Sequence, residues 1–305
     1  MEKQYVGSLL KRMRKQVGIT AGDLAKKAGV SRATISNIEN GRVNPNQDTI
    51  NLIFENLYMD LDSLDIHLLN KEEMQWQIIM DEIDAHLMNN RYIKAAPLVL
   101  QLKEDEAFNE KKSHTQYVLF CDALIYKDRT KDNVGFLSIL YQAIKIGYSD
   151  FNYEYIRDYY LSRVELKIIT NIASAYSEMD NLDRAINIMQ DLKRNFDENC
   201  IDRDYKGKQY PHILYDLSTY LAKKGRLDDA LDIAGQGITV CLDTGYLAFL
   251  PKLQFNKGYY HVEQGENEIG ITDIKQAYFT LRLYQDHDNA DIIAAYVKEK
   301  FGLIF

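Results

Sequence analysis

The sequence predicts an all-α protein in two parts: a small N-terminal helical domain and a longer array of paired helices. Three observations carry this expectation. Apolar residues recur at helical spacing along the chain, and no stretch shows the strict alternation of a half-buried strand. Three segments of the C-terminal half repeat one another, namely 172–189, 217–234 and 257–274. Charge also divides the chain. Residues 1–46 hold nine Lys/Arg against three Asp/Glu, a net of +6; the other 259 residues hold 28 against 42, a net of −14. A basic head on an acidic body implies two tasks. The head suits a polyanion, and the body would be repelled by one.

Composition removes several classes. At about 150 residues per domain, 305 residues suggest two domains. With 46% hydrophobic and 27% charged residues and 22 tyrosines, wholesale disorder is excluded. No apolar run reaches the roughly 18 residues of a membrane span. The opening MEKQYVGSLLKRMRKQ lacks the continuous apolar stretch of a signal peptide. Cys121, Cys200 and Cys241 are scattered and form no C-x-x-C, so reduced thiols in a cytoplasmic protein are expected. No P-loop, H-E-x-x-H, G-x-S-x-G or dinucleotide fingerprint is present, and the six histidines show no ligand spacing. We expect no catalytic site, metal or cofactor.

The first 69 residues read as five short helices. Val6, Leu9, Leu10 and Met13 mark the first, over roughly 3–17, which ends at Gly18. Thr20, three residues before Asp23, opens the second with a capping-box variant. Gly29 supplies a turn that tolerates positive φ. Ser31 caps a third helix over roughly 31–40, which Asn40-Gly41 ends. Asn44-Pro45 starts a fourth that runs to about Leu57, and a fifth covers 61–69. The second and third helices, joined by a short glycine turn, make a helix-turn-helix. On the third, Ile35 and Ile38 share one side, with Val30 beside them. Arg32, Ala33, Ser36, Asn37 and Asn40 share the other. That arc carries guanidinium, amide and hydroxyl groups, which read base edges: arginine pairs with guanine and asparagine with adenine.

Residues 18–45, G-I-T-A-G-D-L-A-K-K-A-G-V-S-R-A-T-I-S-N-I-E-N-G-R-V-N-P, resemble the Xre/Cro-type helix-turn-helix. The turn glycine, the S-R-x-T-I-S start and the I-E-N-G-x-x-x-P ending stand in register. The resemblance implies that the third helix enters the major groove. It implies base contacts from Arg32, Ala33 and Asn37, and backbone-proximal positions at Thr20, Asn40, Arg42 and Asn44. It also implies a partly buried ion pair between Arg14 and Glu39. Many members carry glutamine where this chain has Ala21, so that bracing contact is in doubt here. Recognition by such a domain implies a homodimer on a pseudo-palindromic double-stranded operator.

Residues 71–305 read as helices of 12–20 residues joined by polar turns. The three repeated segments carry small residues at Ala173, Ser218 and Gly258, and again twelve positions later at Ala185, Ala230 and Gly270. Small residues let paired helices approach closely. Asp180-Asn181, Gly225 and Gly265 stand in the turns. This pattern resembles the tetratricopeptide repeat. The spacings of 45 and 40 residues between Ala185, Ala230 and Gly270 exceed the usual 34, partly through the polar stretch Asp197–Gln209. A weaker copy lies at 83–102 with Ala95 in the second small position; 115–160 is helical but degenerate. A tetratricopeptide-like α-solenoid of about five helix pairs fits the length.

In such repeats the first helices line a concave face. The positions that the resemblance turns inward are Lys167, Thr170, Asn171, Ser174 and Ser177, then Tyr215, Asp216 and Thr219, then Lys252, Phe255, Asn256 and Tyr259. Asparagine both donates and accepts, which suits a peptide backbone, and aromatic rings suit peptide side chains. An Xre-type head before such a body resembles the cytoplasmic peptide-pheromone receptors called the RRNPP family. That resemblance implies a transcriptional regulator for quorum sensing, with a DNA-binding domain over 1–69 and a peptide-binding, dimerising domain over 71–305. Its partners would be operator DNA, a short signalling peptide and a second copy, and no membrane. The apolar tail is expected to pack or dimerise. Two alternatives stay open: a body that binds a protein partner, and a body that only dimerises.

Overall fold

The computed structural model describes residues 19–43, 71–159, 161–200 and 203–304, with single residues of the head at 7, 10, 11, 13–15, 45, 49, 50, 52, 53 and 57. Every element among the described residues is helical. The fifth expected helix, 61–69, lies outside the described residues, as does the domain boundary expected near residue 70. Contacts fall into two units: residues 1–129 with 160–166, and residues 130–159 with 167–305.

In the first unit, the two helices of the helix-turn-helix are α1 (Ala21–Lys27) and α2 (Arg32–Glu39). Thr20 and Asp23 close a reciprocal capping box: the Asp23 N–H donates to Thr20 Oγ1 at 3.1 Å, and the Thr20 N–H to Asp23 Oδ2 at 3.3 Å. The Thr34 N–H donates to the Ser31 hydroxyl at 2.9 Å and caps α2. Leu10, Met13, Leu24, Ala25, Ala28, Ile35, Ile38, Ile50, Ile53 and Leu57 form one core. Each α-helical wheel assignment made for α2 follows from this core, which takes Ile35 and Ile38 and leaves the polar arc outside.

The same unit continues with α3 (Lys71–Met88), α4 (Tyr92–Glu104) and α5 (Lys112–Thr130). Ala95 is fully buried, as a small residue at a helix crossing should be. Tyr117 donates to the Met80 carbonyl at 3.1 Å, and the Trp76 indole to Asp105 Oδ2 at 2.9 Å.

The second unit holds α6 (Asn133–Gly147), a 3-10 turn (Tyr153–Asp158), α7 (Arg163–Glu178, from residue 167), α8 (Leu182–Asn199), α9 (Arg203–Lys223), α10 (Leu227–Thr244), α11 (Leu250–Glu263), α12 (Asn267–Leu283) and α13 (His287–Phe301). Of the expected helix pairs, α3 packs on α4, α9 on α10 and α11 on α12, and α13 follows the last pair as a single helix. From α8 onward each helix packs on the next, and α9 also packs on α11.

The small residues do what the pattern requires. Ala173, Ala185, Ser218 and Ala230 are fully buried. A methyl group on Gly258 would stand 2.6 Å from the Gly270 carbonyl oxygen, and one on Gly270 would stand 2.6 Å from the Gly258 carbonyl oxygen. The backbones of α11 and α12 therefore touch.

One turn recurs in both units. A residue at positive φ is followed by an N–H that donates to the carbonyl five residues back. Gly29, Gly41, Gly225 and Gly265 fill the positive-φ position, and so do Asn90, Asp180 and Gln285. The closing bonds, from Val30, Arg42, Arg226, Glu266, Arg91, Asn181 and Asp286, measure 2.8–3.0 Å. The residues expected to form turns, Asp180-Asn181, Gly225 and Gly265, are all used in this way.

The stretch Asp197–Gln209 lengthens the repeat mainly as helix, because α8 runs to Asn199 and α9 starts at Arg203. In the tail Val297 is buried and Tyr296 and Phe301 pack against its cluster, while Ile304 is 84% exposed. Asn195 was not singled out in the sequence, yet it is buried and its amide lies 2.7–3.1 Å from the Ile156, Arg157 and Tyr159 carbonyls, tying the 3-10 turn to α8.

Gly258→Ala is expected to destabilise the protein by about 2 kcal/mol through overpacking at backbone atoms that cannot yield. Urea unfolding checks this; Gly235→Ala, where a methyl group meets nothing within 4 Å, is the control that should not destabilise.

Candidate functional site

The polar arc of α2 is open to solvent. Arg32, Ala33, Ser36 and Asn40 are exposed and Asn37 is half-buried. Ser31 and Thr34 brace the start of this helix, with their hydroxyls 2.8 Å apart. The Asn40 amide is turned back and donates to the Ser36 carbonyl at 2.8 Å. Thr20 is exposed, but its hydroxyl donates to Asp23 Oδ2 at 2.6 Å. Arg42 is exposed just beyond the turn, and Asn44 lies outside the described residues.

Beneath this face, Arg14 and Glu39 meet as the resemblance implied. Nε donates to Glu39 Oε1 at 2.6 Å and a second guanidinium nitrogen to Oε2 at 3.0 Å. The side chains are 12% and 5% exposed. A third bond from Arg14 reaches the Ile19 carbonyl at 2.9 Å, so the pair ties the first helix to α2 and to the entry of α1. Its desolvation cost makes it a positional lock more than a source of stability.

The second set of nominated residues lies on α7, α9 and α11. The Asn256 amide donates to Thr219 Oγ1 at 3.1 Å, bridging α11 to α9, and that hydroxyl donates to the Tyr215 carbonyl at 2.9 Å. Asn171, at the equivalent repeat position, instead donates to the Lys167 carbonyl of its own helix at 2.8 Å. Thr170 is placed in the packing, 5% exposed, with its hydroxyl on the same carbonyl at 3.0 Å. Lys167 is half-buried beneath these two bonds, and Ser174 bonds weakly to Glu178 at 3.4 Å. The Ser177 hydroxyl is buried.

Around Asp216 the structure assembles a tighter group than the repeat pattern indicated. His212 Nε2 is 3.3 Å from the Asp216 carboxylate. The His212 ring stacks on Phe249 at 4.9 Å; Tyr215 lies 5.9 Å from that ring, and the Lys252 ammonium 5.2 Å from it. Burial raises the Asp216 carboxyl above the ordinary carboxylate range, against the pull of His212 and Lys252. His212 and Phe249 were missed in the sequence: His212 stands four before Asp216, a helical spacing that was available, while Phe249 precedes α11. Farther along, Phe255 and Tyr259 form an aromatic group with Tyr296 of α13, at 5.6 and 6.2 Å, and Lys300 lies over Tyr259 at 5.4 Å.

Residues 10–63 match the family described as Helix-turn-helix. No curated protein matches the chain. Among solved structures, Bacillus thuringiensis PlcR in complex with the peptide PapR7 and DNA is similar at a TM-score of 0.61 and 18% identity, covering 96% of this chain and 99% of that one. This chain has the PlcR fold. PlcR in its apo form is similar at a TM-score of 0.60 and 17% identity, over 96% of this chain and 98% of that one. ComR from S. thermophilus, in complex with DNA and its signalling peptide ComS, is similar at 0.51 and 14% identity, over 98% and 100%. The likeness to PlcR therefore runs through both the helix-turn-helix and the repeats. No helix among the described residues is long and apolar enough to cross a membrane.

The Asp216 environment makes a pH prediction. Below its unfolded-state pKa of about 3.9, both states carry the proton. As pH rises above that, the unfolded state ionises first, so stability falls until the folded-state value is passed. Asp216→Asn should remove this contribution: relative to wild type, its melting temperature should improve more at pH 7 than at pH 3.5. An equal difference at both pH values would show that burial does not disfavour the Asp216 charge.

Proposed function

We propose that this chain is a DNA-binding transcriptional regulator of the PlcR type, whose operator binding is controlled by a short signalling peptide. The observation that carries the reading is the combination in one chain of an exposed polar arc on α2 with a helical-repeat body of the PlcR fold. The division of labour is a DNA-binding domain over 1–69 and a repeat domain over 71–305.

In this reading α2 lies in the major groove. Arg32 and Asn37 read base edges, Ala33 allows close approach, and Ser36 with Asn40 sits at the rim. Thr20, Arg42 and Asn44 face the sugar-phosphate backbone. Such contacts position the helix without reading sequence. Two copies act on a pseudo-palindromic operator, because one domain of this size touches too few bases. The fully assembled capping and ion-pair network supports this role, since α2 is held rigidly before DNA arrives.

The peptide lies along α9 and α11, over Tyr215, Asp216, Thr219, Lys252, Phe255, Asn256 and Tyr259. Asn256 is the better backbone clamp of the two asparagines, because it already bridges two helices. Lys167 lies on the same face of α7, and Asn171, Thr170 and Ser174 contribute only if their bonds within α7 are exchanged for ligand bonds. The peptide controls the head only through unequal affinity for two arrangements of the dimer.

Arg32→Ala should lose about 1–3 kcal/mol of discrimination between operator and mutated operator, with helicity unchanged. Titration of both duplexes by fluorescence anisotropy measures it, and unchanged discrimination would remove α2 from the groove. A thermal-shift screen with short peptides from small reading frames beside the gene tests the second half. A saturable, sequence-specific rise that Asn256→Ala weakens supports the peptide reading. No rise with any peptide, in a protein that still binds its operator, returns the body to a partner-binding or dimerisation role.

A further inference from the structure

Arg184 stands out among the charged residues of the second unit. It lies in the first turn of α8 and is half-buried. Its guanidinium carbon sits 4.2 Å from the centre of the Tyr153 ring and 4.8 Å from that of Tyr176. Its Nε is buried and has no hydrogen-bond partner. Among the described residues its side chain makes no hydrogen bond or ion pair, although residues 71–305 carry 37 acidic residues against 28 basic ones. The nearby Asp183 pairs with Lys224 at 2.9 Å instead.

A guanidinium cannot shed its charge, and it carries five donors in one plane. Ring faces stabilise the charge but leave the donors along the edge unused. Beside the rings, the Tyr141 and Tyr176 hydroxyls lie 3.2 Å apart. One donates to the other, so one phenolic proton remains to be donated elsewhere. Burial raises Tyr141 above its ordinary value, which keeps that proton in place at neutral pH.

We propose that Arg184, with the Tyr141–Tyr176 hydroxyl pair, binds an oxyanion, the carboxylate or phosphate group of a small ligand. The two rings hold the guanidinium in place for a two-pronged contact, and the phenol supplies a further donor. The site uses none of the nominated peptide residues and stands whether or not the peptide reading holds.

The test uses full-length protein, with sodium phosphate and sodium acetate as separate probes at constant ionic strength. Phosphate strengthens folding generally, but without saturation. The expected result is a saturable rise in melting temperature with one of the two anions, confirmed by calorimetric titration. A response to phosphate alone assigns a phosphate ligand, and a response to acetate assigns a carboxylate. Arg184→Gln should abolish the saturable response. Tyr141→Phe should weaken the affinity about fivefold, the loss of one hydrogen bond of about 1 kcal/mol. Circular dichroism establishes that each variant is folded. If Arg184→Gln is not, Arg184→Lys keeps the charge without the planar fork and should bind at least tenfold more weakly. No saturable response to either anion overturns the proposal, as does a response that survives loss of the fork.

Discussion

The helices of the repeats close on one another at small residues: Ala173, Ala185, Ser218 and Ala230 are fully buried. At Gly258 and Gly270 even a methyl group is excluded, because backbone meets backbone. The crossing fixes how the first helix is rotated. Once Ala173, Ser218 and Gly258 point into the packing, residues two positions earlier point elsewhere: Asn171, Asp216 and Asn256. The same rotation lets Asn256 reach Thr219 on the neighbouring first helix. The extra length of these repeats does not disturb the crossing, because it is taken up by extending α8 and α9 beyond it.

The turns obey a second constraint, shared by head and body. Each ends a helix with one residue at positive φ and an N–H returned to the carbonyl five back. Glycine enters this conformation without steric cost, whereas an L side chain is penalised by roughly 1–2 kcal/mol. The chain spends glycine at 29 and 41, in the head, and at 225 and 265. It accepts asparagine, aspartate or glutamine at 90, 180 and 285. Asparagine and aspartate tolerate the region better than most residues. Gln285 has no such excuse; it precedes α13, the single helix after the last pair.

These constraints explain what was legible in the sequence. Small residues and turn residues act through their own size and backbone freedom, so their pattern survives without a structure. The capping box at Thr20 and Asp23 is equally local. The candidate ligand face was legible only in outline. Whether Asn171 bonds its own helix or a neighbour depends on the distance to the next first helix, and the two equivalent asparagines differ for that reason. His212 meets Asp216 on one helix, but Phe249 reaches His212 from more than 30 residues along the chain only because α9 and α11 pack together. Asn195 fastens a 3-10 turn 36–39 residues away, in the region whose repeat pattern was too degenerate to align.

Three arginines show how the surroundings of one cation separate its roles. Arg14 is buried against a carboxylate that takes both prongs of its fork, so its charge is consumed in holding the head together. Arg32 is exposed on the open arc of α2, so its fork stays open to solvent. Arg184 is half-buried, with its Nε shielded from water, yet given only ring faces. Desolvation without a carboxylate is tolerable only because the charge is spread over a plane that aromatic rings can cover. A lysine in the same place would keep its charge concentrated on one strongly hydrated ammonium. Sequence composition counts all three as +1; the difference lies in what each fork can still reach.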